Sequence, residues 1–196
     1  MIKTTLFGVA AAATLCVTAA LAVQDGQPQD AAFMPSPETM KAMMPGPHHA
    51  QLAKLVGHFE VDLKYRMGPE APWTSNPLEA HREMVMDGRQ LREVIEGEFE
   101  GQPFRGESTV GYDNVAEQYH SMWIDNMSTG VMFVTGTADD SGAVTFEGTH
   151  SDAWTMDKNK WTKSVMSADG SLFEMYGKTP DGAVFKHMSI TYKPKR

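Results

Sequence analysis

From Phe59 to the C-terminus the chain alternates apolar and polar residues with a period of two, in run after run separated by turn formers. Phe59, Val61, Leu63, Tyr65 and Met67 alternate with Glu60, Asp62, Lys64 and Arg66. Successive side chains of a strand point to opposite faces, so the pattern predicts a half-buried antiparallel strand. Nine more strand-like runs are expected near 78–86, 89–99, 104–111, 118–124, 131–136, 143–148, 160–168, 171–179 and 183–193. No long helical pattern interrupts them. Many short strands with regular turns restrict the fold to an all-β sandwich or barrel.

Three Asp-Gly pairs set the register. Asp87-Gly88 suits a tight hairpin turn and places Met84 opposite Leu91, Arg82 opposite Glu93 and Glu83 opposite Arg92. Both charged pairs are of opposite sign, which supports the pairing. Asp169-Gly170 places Met166 opposite Phe173. Asp181-Gly182 places Phe173 opposite Ile190 and Met175 opposite Met188. The result is a meander with one continuous apolar face. Closure would remove its exposed edges, so an antiparallel up-and-down β-barrel of about ten strands is expected. Such a barrel encloses more space than side chains alone need to fill.

The N-terminal part differs. Lys3 precedes an apolar run from Leu6 to Val23 that ends in Ala20-Leu21-Ala22, the small-x-small pattern of a signal peptidase site. Residues 1–22 are therefore expected to be a cleaved signal peptide, which places the mature chain in the periplasm or secretes it, with no membrane span after cleavage. Residues 23–44 are polar and proline-bearing and are expected to form a flexible linker, with the barrel domain spanning 45–196. After Pro47, Leu52, Leu55 and Val56 have helical spacing, so a short helix ending at Gly57 is expected. The only cysteine, Cys16, leaves with the signal, which excludes disulfides and thiolate chemistry. The net charge of −8 becomes −9 without Lys3, a poor balance for binding nucleic acid.

Several segments are similar to a bacterial family known as domain of unknown function 1579. They are Pro45-Gly46-Pro47 with His49, Leu55-Val56-Gly57, Glu96-Gly97 with Pro103-Phe104, Gly111-Tyr112-Asp113-Asn114, Trp123-Ile124-Asp125-Asn126-Met127-Ser128-Thr129-Gly130, and Phe173-Glu174-Met175-Tyr176. The Trp-Ile-Asp-Asn-Met block is the most specific. One position departs: the family usually has Trp two residues after the glycine matching Gly57, and here Phe59 stands there. The resemblance implies a calycin-like barrel, the group of lipocalins, fatty-acid-binding proteins and haem-binding nitrobindin-like barrels, and hence a small apolar ligand. At this level the inference is one of fold alone.

The candidate ligand-binding residues are Arg82, Glu93, Trp123, Asp125, Asn126, Phe173, Met175 and Met188. Arg82 and Glu93 fall on the apolar face, where a charge is costly unless paired. They are expected to form either a structural ion pair at one barrel end or a carboxylate receptor, for which an arginine is suited. Trp123 would form an apolar wall. Asp125 and Asn126 either rigidify their loop through bonds to nearby backbone or orient a ligand head group at the barrel mouth. Phe173, Met175 and Met188 would form a soft lining.

No hydrolase elbow, phosphate loop or zinc-enzyme histidine pair is present, and no catalytic residue, cofactor or metal ligand is assigned. Met40, Met43, Met44, His48 and His49 carry donors suited to monovalent copper, but methionine is also common packing material. Haem would need an inward histidine near an open end. His81 and His187 are expected to face outward, which argues against it. The primary expectation is a carrier of a small hydrophobic or amphipathic molecule. The alternatives are an enzyme using carboxylates such as Glu93, Asp113, Asp125 and Glu174, and a structural or partner-binding module with a filled barrel.

Overall fold

The computed structural model describes residues 34–196, so the expected signal peptide and the first half of the expected linker lie outside the described residues. Two short helices come first, α1 (Pro37–Met43) and α2 (Pro47–Leu52), followed by a 3-10 turn at Ala53–Leu55. Ser36 caps α1 by accepting from the Thr39 N–H, and Pro37 and Pro47 begin their helices where a missing N–H costs nothing. Helix α1 falls within the stretch read as linker.

Ten strands follow: β1 (Gly57–Tyr65), β2 (Thr74–Val85), β3 (Gln90–Phe99), β4 (Gln102–Asp113), β5 (Gln118–Asp125), β6 (Met132–Ala138), β7 (Val144–Asp152), β8 (Asp157–Met166), β9 (Leu172–Lys178) and β10 (Val184–Pro194). Each pairs antiparallel with its neighbour in sequence, and β1 pairs with β10 to close the barrel. The expected all-β, up-and-down architecture is thus the observed one. No helix among the described residues is long and apolar enough to cross a membrane.

The hairpin registers agree with expectation at Arg82–Glu93, Glu83–Arg92 and Met84–Leu91, and at Met166–Phe173, Phe173–Ile190 and Met175–Met188. The last hairpin reaches its register by a different route. Near its turn Val184 stands opposite Lys178, one step away from the Asp-Gly expectation. A β-bulge between Lys186 and Met188 then adds a residue and restores the expected pairing. His187 is that extra residue.

Up-and-down topology gives the barrel two distinct ends. The β2–β3, β4–β5, β6–β7 and β8–β9 turns lie at one end with the helices, which cap it. Asn114 Nδ2 donates to Ala42 O and Met44 O, and Arg89 Nη2 donates to Met43 O. His48 stacks on Tyr112 at 3.9 Å and shares a 3.0 Å hydrogen bond with the Tyr119 hydroxyl. The buried His49 accepts from the Gly46 N–H. Two of the motifs singled out in the sequence, Pro45 to His49 and Gly111 to Asn114, therefore meet in the cap. Leu52 and Leu55 project from it into a core of Leu91, Val110, Tyr119, Val134, Val144, Phe146 and Met166. The opposite end, bounded by the β1–β2, β3–β4, β5–β6, β7–β8 and β9–β10 loops, carries no helix.

Candidate functional site

The eight candidate residues divide between the two ends. Arg82 and Glu93 lie together in the capped half, 4% and 7% exposed. Arg82 Nε donates to Glu93 Oε2 at 2.5 Å, and Nη1 donates to Gly170 O at 2.8 Å. The guanidinium stacks over Tyr192 at 3.8 Å and Phe59 at 4.9 Å, and the Tyr192 hydroxyl donates to Glu93 Oε1. Burial pushes the Tyr192 hydroxyl pKa far up, so it remains a donor. Phe59, at the position where the family usually has Trp, is thus part of the packing around a paired charge.

Trp123, Asp125 and Asn126 stand at the open end. Trp123 Nε1 donates to Asp125 Oδ2, whose other oxygen accepts from the Met127 and Ser128 N–H groups. Asn126 Oδ1 accepts from the Arg105 N–H, and its Nδ2 donates to Pro103 O. Both polar side chains hold the loop to β4. Trp123 faces the interior beside Phe104, and Gly106 makes room for it, since a Cβ there would lie 2.3 Å from the indole ring. Phe173 packs against both halves of the core, with Met188 on its open-end side.

The open half differs from the capped half in exposure. Tyr65, Phe99, Phe104, Trp123, Met175 and Met188 alternate with outward residues and face a closed wall's interior, yet all remain only half-buried. Solvent therefore reaches the inward side chains nearest the open end. Its loops expose Met67, Trp73, Met127, Val131, Trp154 and Met156 around the mouth. By contrast, a groove of about 1170 Å³ lined by His58, Glu60, Glu79 and His81 lies on the outer wall between β1 and β3.

A polar cluster inside the open half escaped the sequence reading. His150, Lys160 and Thr162 occupy inward positions of β7 and β8, in phase with Phe146 and Met166. Lys160 pairs with Asp152, which also accepts from the Thr155 hydroxyl and the Trp154 N–H. His187 joins them. The expectation that it faces outward is corrected here: the bulge turns it inward beside Gly177, with Lys160, Asp152 and His150 within electrostatic reach. Burial, reinforced by the Lys160 charge, pulls its pKa down to about 4. Burial also lowers His150, again with a contribution from Lys160. Both imidazoles are neutral at pH 7. Period-two parity carried from Phe146 would have found His150; nothing local announces the bulge at His187. The ground on which haem was set aside, the lack of an inward histidine near an open end, is therefore removed.

The four carboxylates considered for catalysis do not converge. Glu93 is in the capped half, Asp113 caps its own turn through the Val115 and Ala116 N–H groups, Asp125 does likewise, and Glu174 pairs outward with Lys186 and the Tyr176 hydroxyl. No group of three or more His, Cys, Asp or Glu among the described residues could hold a metal ion.

Residues 44–194 match the family described as "Protein of unknown function (DUF1579)", and the chain belongs to that family. No curated protein matches. Among solved structures, the chain is similar to Rv2717c from M. tuberculosis, with a TM-score of 0.54 and 12% identity, covering 78% of this chain and 100% of that one. At that identity the likeness concerns the fold.

Proposed function

We propose that this chain binds a small hydrophobic or amphipathic molecule inside the open half of its barrel. The supporting observation is the set of inward aromatic and methionine side chains that the closed wall leaves half-buried, with Trp123, Met175 and Met188 among them. An apolar ligand there removes apolar surface from water, contributing about 25 cal/mol per Å². The exposed apolar rim gives such a molecule a favourable entry. Arg82 and Glu93 serve the fold in this reading, because each is already partnered away from the mouth. The mature protein acts outside the cytoplasm, starting at Val23, which the intact mass of the exported protein checks.

Titration with the neutral apolar probe Nile red tests the reading. Saturable micromolar binding that alters Trp123 emission is expected. Its absence in protein folded by circular dichroism rejects the carrier and favours a filled barrel. A second reading rests on the inward placement of the His187 ring beside Gly177 and Phe185: this imidazole would be the residue to hold a haem iron. A saturable shift of the Soret band relative to free haem, lost in His187→Ala, would support it; a spectrum identical to that of free haem would remove it.

A further inference from the structure

Ion pairs cover much of the outer wall: Lys193–Glu60 joins β10 to β1, Arg92–Glu107 joins β3 to β4, and Lys186–Glu174 joins β10 to β9. Strands β5 and β6 differ. Their outward positions, alternating with the inward Ser121, Trp123 and Val134, carry Met122, Ile124, Phe133 and Thr135. Met122 stands directly opposite Phe133, which is 56% exposed and stacks on His120. Glu107 borders this face opposite Ile124 and is itself paired with Arg92 and Arg105. The apolar surface continues over the rim. The β5–β6 loop (126–131) and the β7–β8 loop (153–156) contain no Asp, Glu, Lys or Arg. They lie side by side, since a Cβ on Gly130 would be 3.0 Å from Ser151 Oγ near the end of β7. Val131 is 54% exposed, Trp154 69% and Met156 82%. Asp152 fastens the second loop by accepting from the Trp154 N–H and the Thr155 hydroxyl, so the loop does not rely on its large apolar side chains. Asp157 and Lys158, which follow in the chain, are of opposite sign.

A contiguous exposed apolar surface of this kind marks an interaction site. Its shape and charge select the partner. It runs from the barrel wall over the rim, which is a convex edge. A rigid partner covers little of such an edge, whereas a stable protein interface needs about 800 Å² on each side. A bilayer is fluid and closes around it. Tryptophan favours the boundary between headgroups and acyl chains, where its ring is buried and its N–H stays wet. The edge brings no charge and the whole chain carries −8, so it fits a zwitterionic surface and not an anionic one. The capped end provides the contrast. Met86 and Val115 are as exposed there, but Asp87, Asp113 and Glu117 share their turns, and the exposed Trp73, Phe133 and Trp154 all lie in the open half. We infer that the edge formed by Met122, Ile124, Val131, Phe133, Trp154 and Met156 seats the open end of the barrel on a zwitterionic phospholipid bilayer. The inference goes beyond the carrier reading and stands apart from what fills the interior.

Flotation of the mature chain, which lacks the apolar N-terminal run, with phosphatidylcholine vesicles is the test. Saturable co-flotation is expected. The double change Trp154→Ser with Met156→Ser should weaken it by roughly tenfold or more, the loss of the apolar area those side chains insert. The matched double change Met86→Ser with Val115→Ser should leave it unmoved. All four side chains are exposed, so circular dichroism should show the same fold throughout. Vesicles mixed equally with phosphatidylglycerol should bind more weakly at low salt, and the difference should shrink as salt rises. No saturable flotation of folded protein, equal loss in the two double variants, or tighter binding to the anionic mixture overturns the inference. Light scattering in solution should show a monomer. A dimer that Phe133→Ser dissociates would assign the surface to a second copy of the chain and overturn the inference as well.

Discussion

Arg82 in the capped half and Thr162 in the open half are equally well buried, and the fold treats them in opposite ways. Arg82 meets a carboxylate, a carbonyl and two aromatic faces, and a side chain from the cap lies beside it: a Cβ on Gly170 would touch both the Arg82 guanidinium and Leu55. Thr162 meets nothing polar, and its flanking strands offer glycines. The same ten strands build both halves, so the difference comes from what each inward position carries and from the cap. In the capped half Leu52, Leu55 and Phe146 close the interior, and polar groups there are completed within the protein. In the open half the inward rings stay half-buried, and the Thr162 hydroxyl and His150 Nδ1 have no hydrogen-bond partner. In the proposed reading, the first half serves stability and the second receives a ligand.

Removing one member of the Arg82–Glu93 pair should have the largest effect. Glu93→Gln leaves Arg82 buried opposite an uncharged amide and should destabilise by about 3 kcal/mol or more, while the double change Arg82→Met with Glu93→Leu should cost less than either single change. Urea unfolding of the four proteins checks this. Additive effects, or near-neutral single changes, would mean that the capped half does not depend on the pair.

The open half should show its character in pH dependence. An unfolded histidine titrates near 6.5, and His187 in the fold near 4. As pH falls from 6.5 toward 4 the unfolded chain binds a proton that the fold refuses, so stability falls across that window and the loss levels off below it. The full contribution is about 3 kcal/mol. Stability measured at pH 7 and pH 4.5 should therefore drop less in His187→Gln than in the parent. Equal drops would return His187 to solvent and remove it from the chamber.

Much of this was legible in the residues. Period-two alternation announced all ten strands, and the Asp-Gly turns set registers that the opposite signs of Arg82–Glu93 and Glu83–Arg92 reinforced. The division of the candidate residues between two ends was less legible, because alternation tells which face a residue takes and not which end is closed. Helix α1 is too short to leave a period in its sequence. His187 was misplaced for a specific reason: a bulge adds one residue to one strand, which reverses facing locally while leaving distant pairs such as Met175–Met188 in place. Cluster members such as Thr162 and His187 are brought near by the successive pairing of β8, β9 and β10, which local sequence does not display.

Cysteine mapping tests most directly the claim that only one half is open. Cys16 is the only cysteine, so the chain from Val23 has none, and a single thiol reports on its own position. Met175→Cys places it on an inward, half-buried site of the open half, and Val134→Cys on a buried site of the capped half. A small maleimide should modify the residue-175 thiol in native protein, more slowly when Nile red is bound, and should reach the residue-134 thiol only through unfolding. Equal protection of the two thiols in the absence of ligand would show an interior filled throughout and contradict the account.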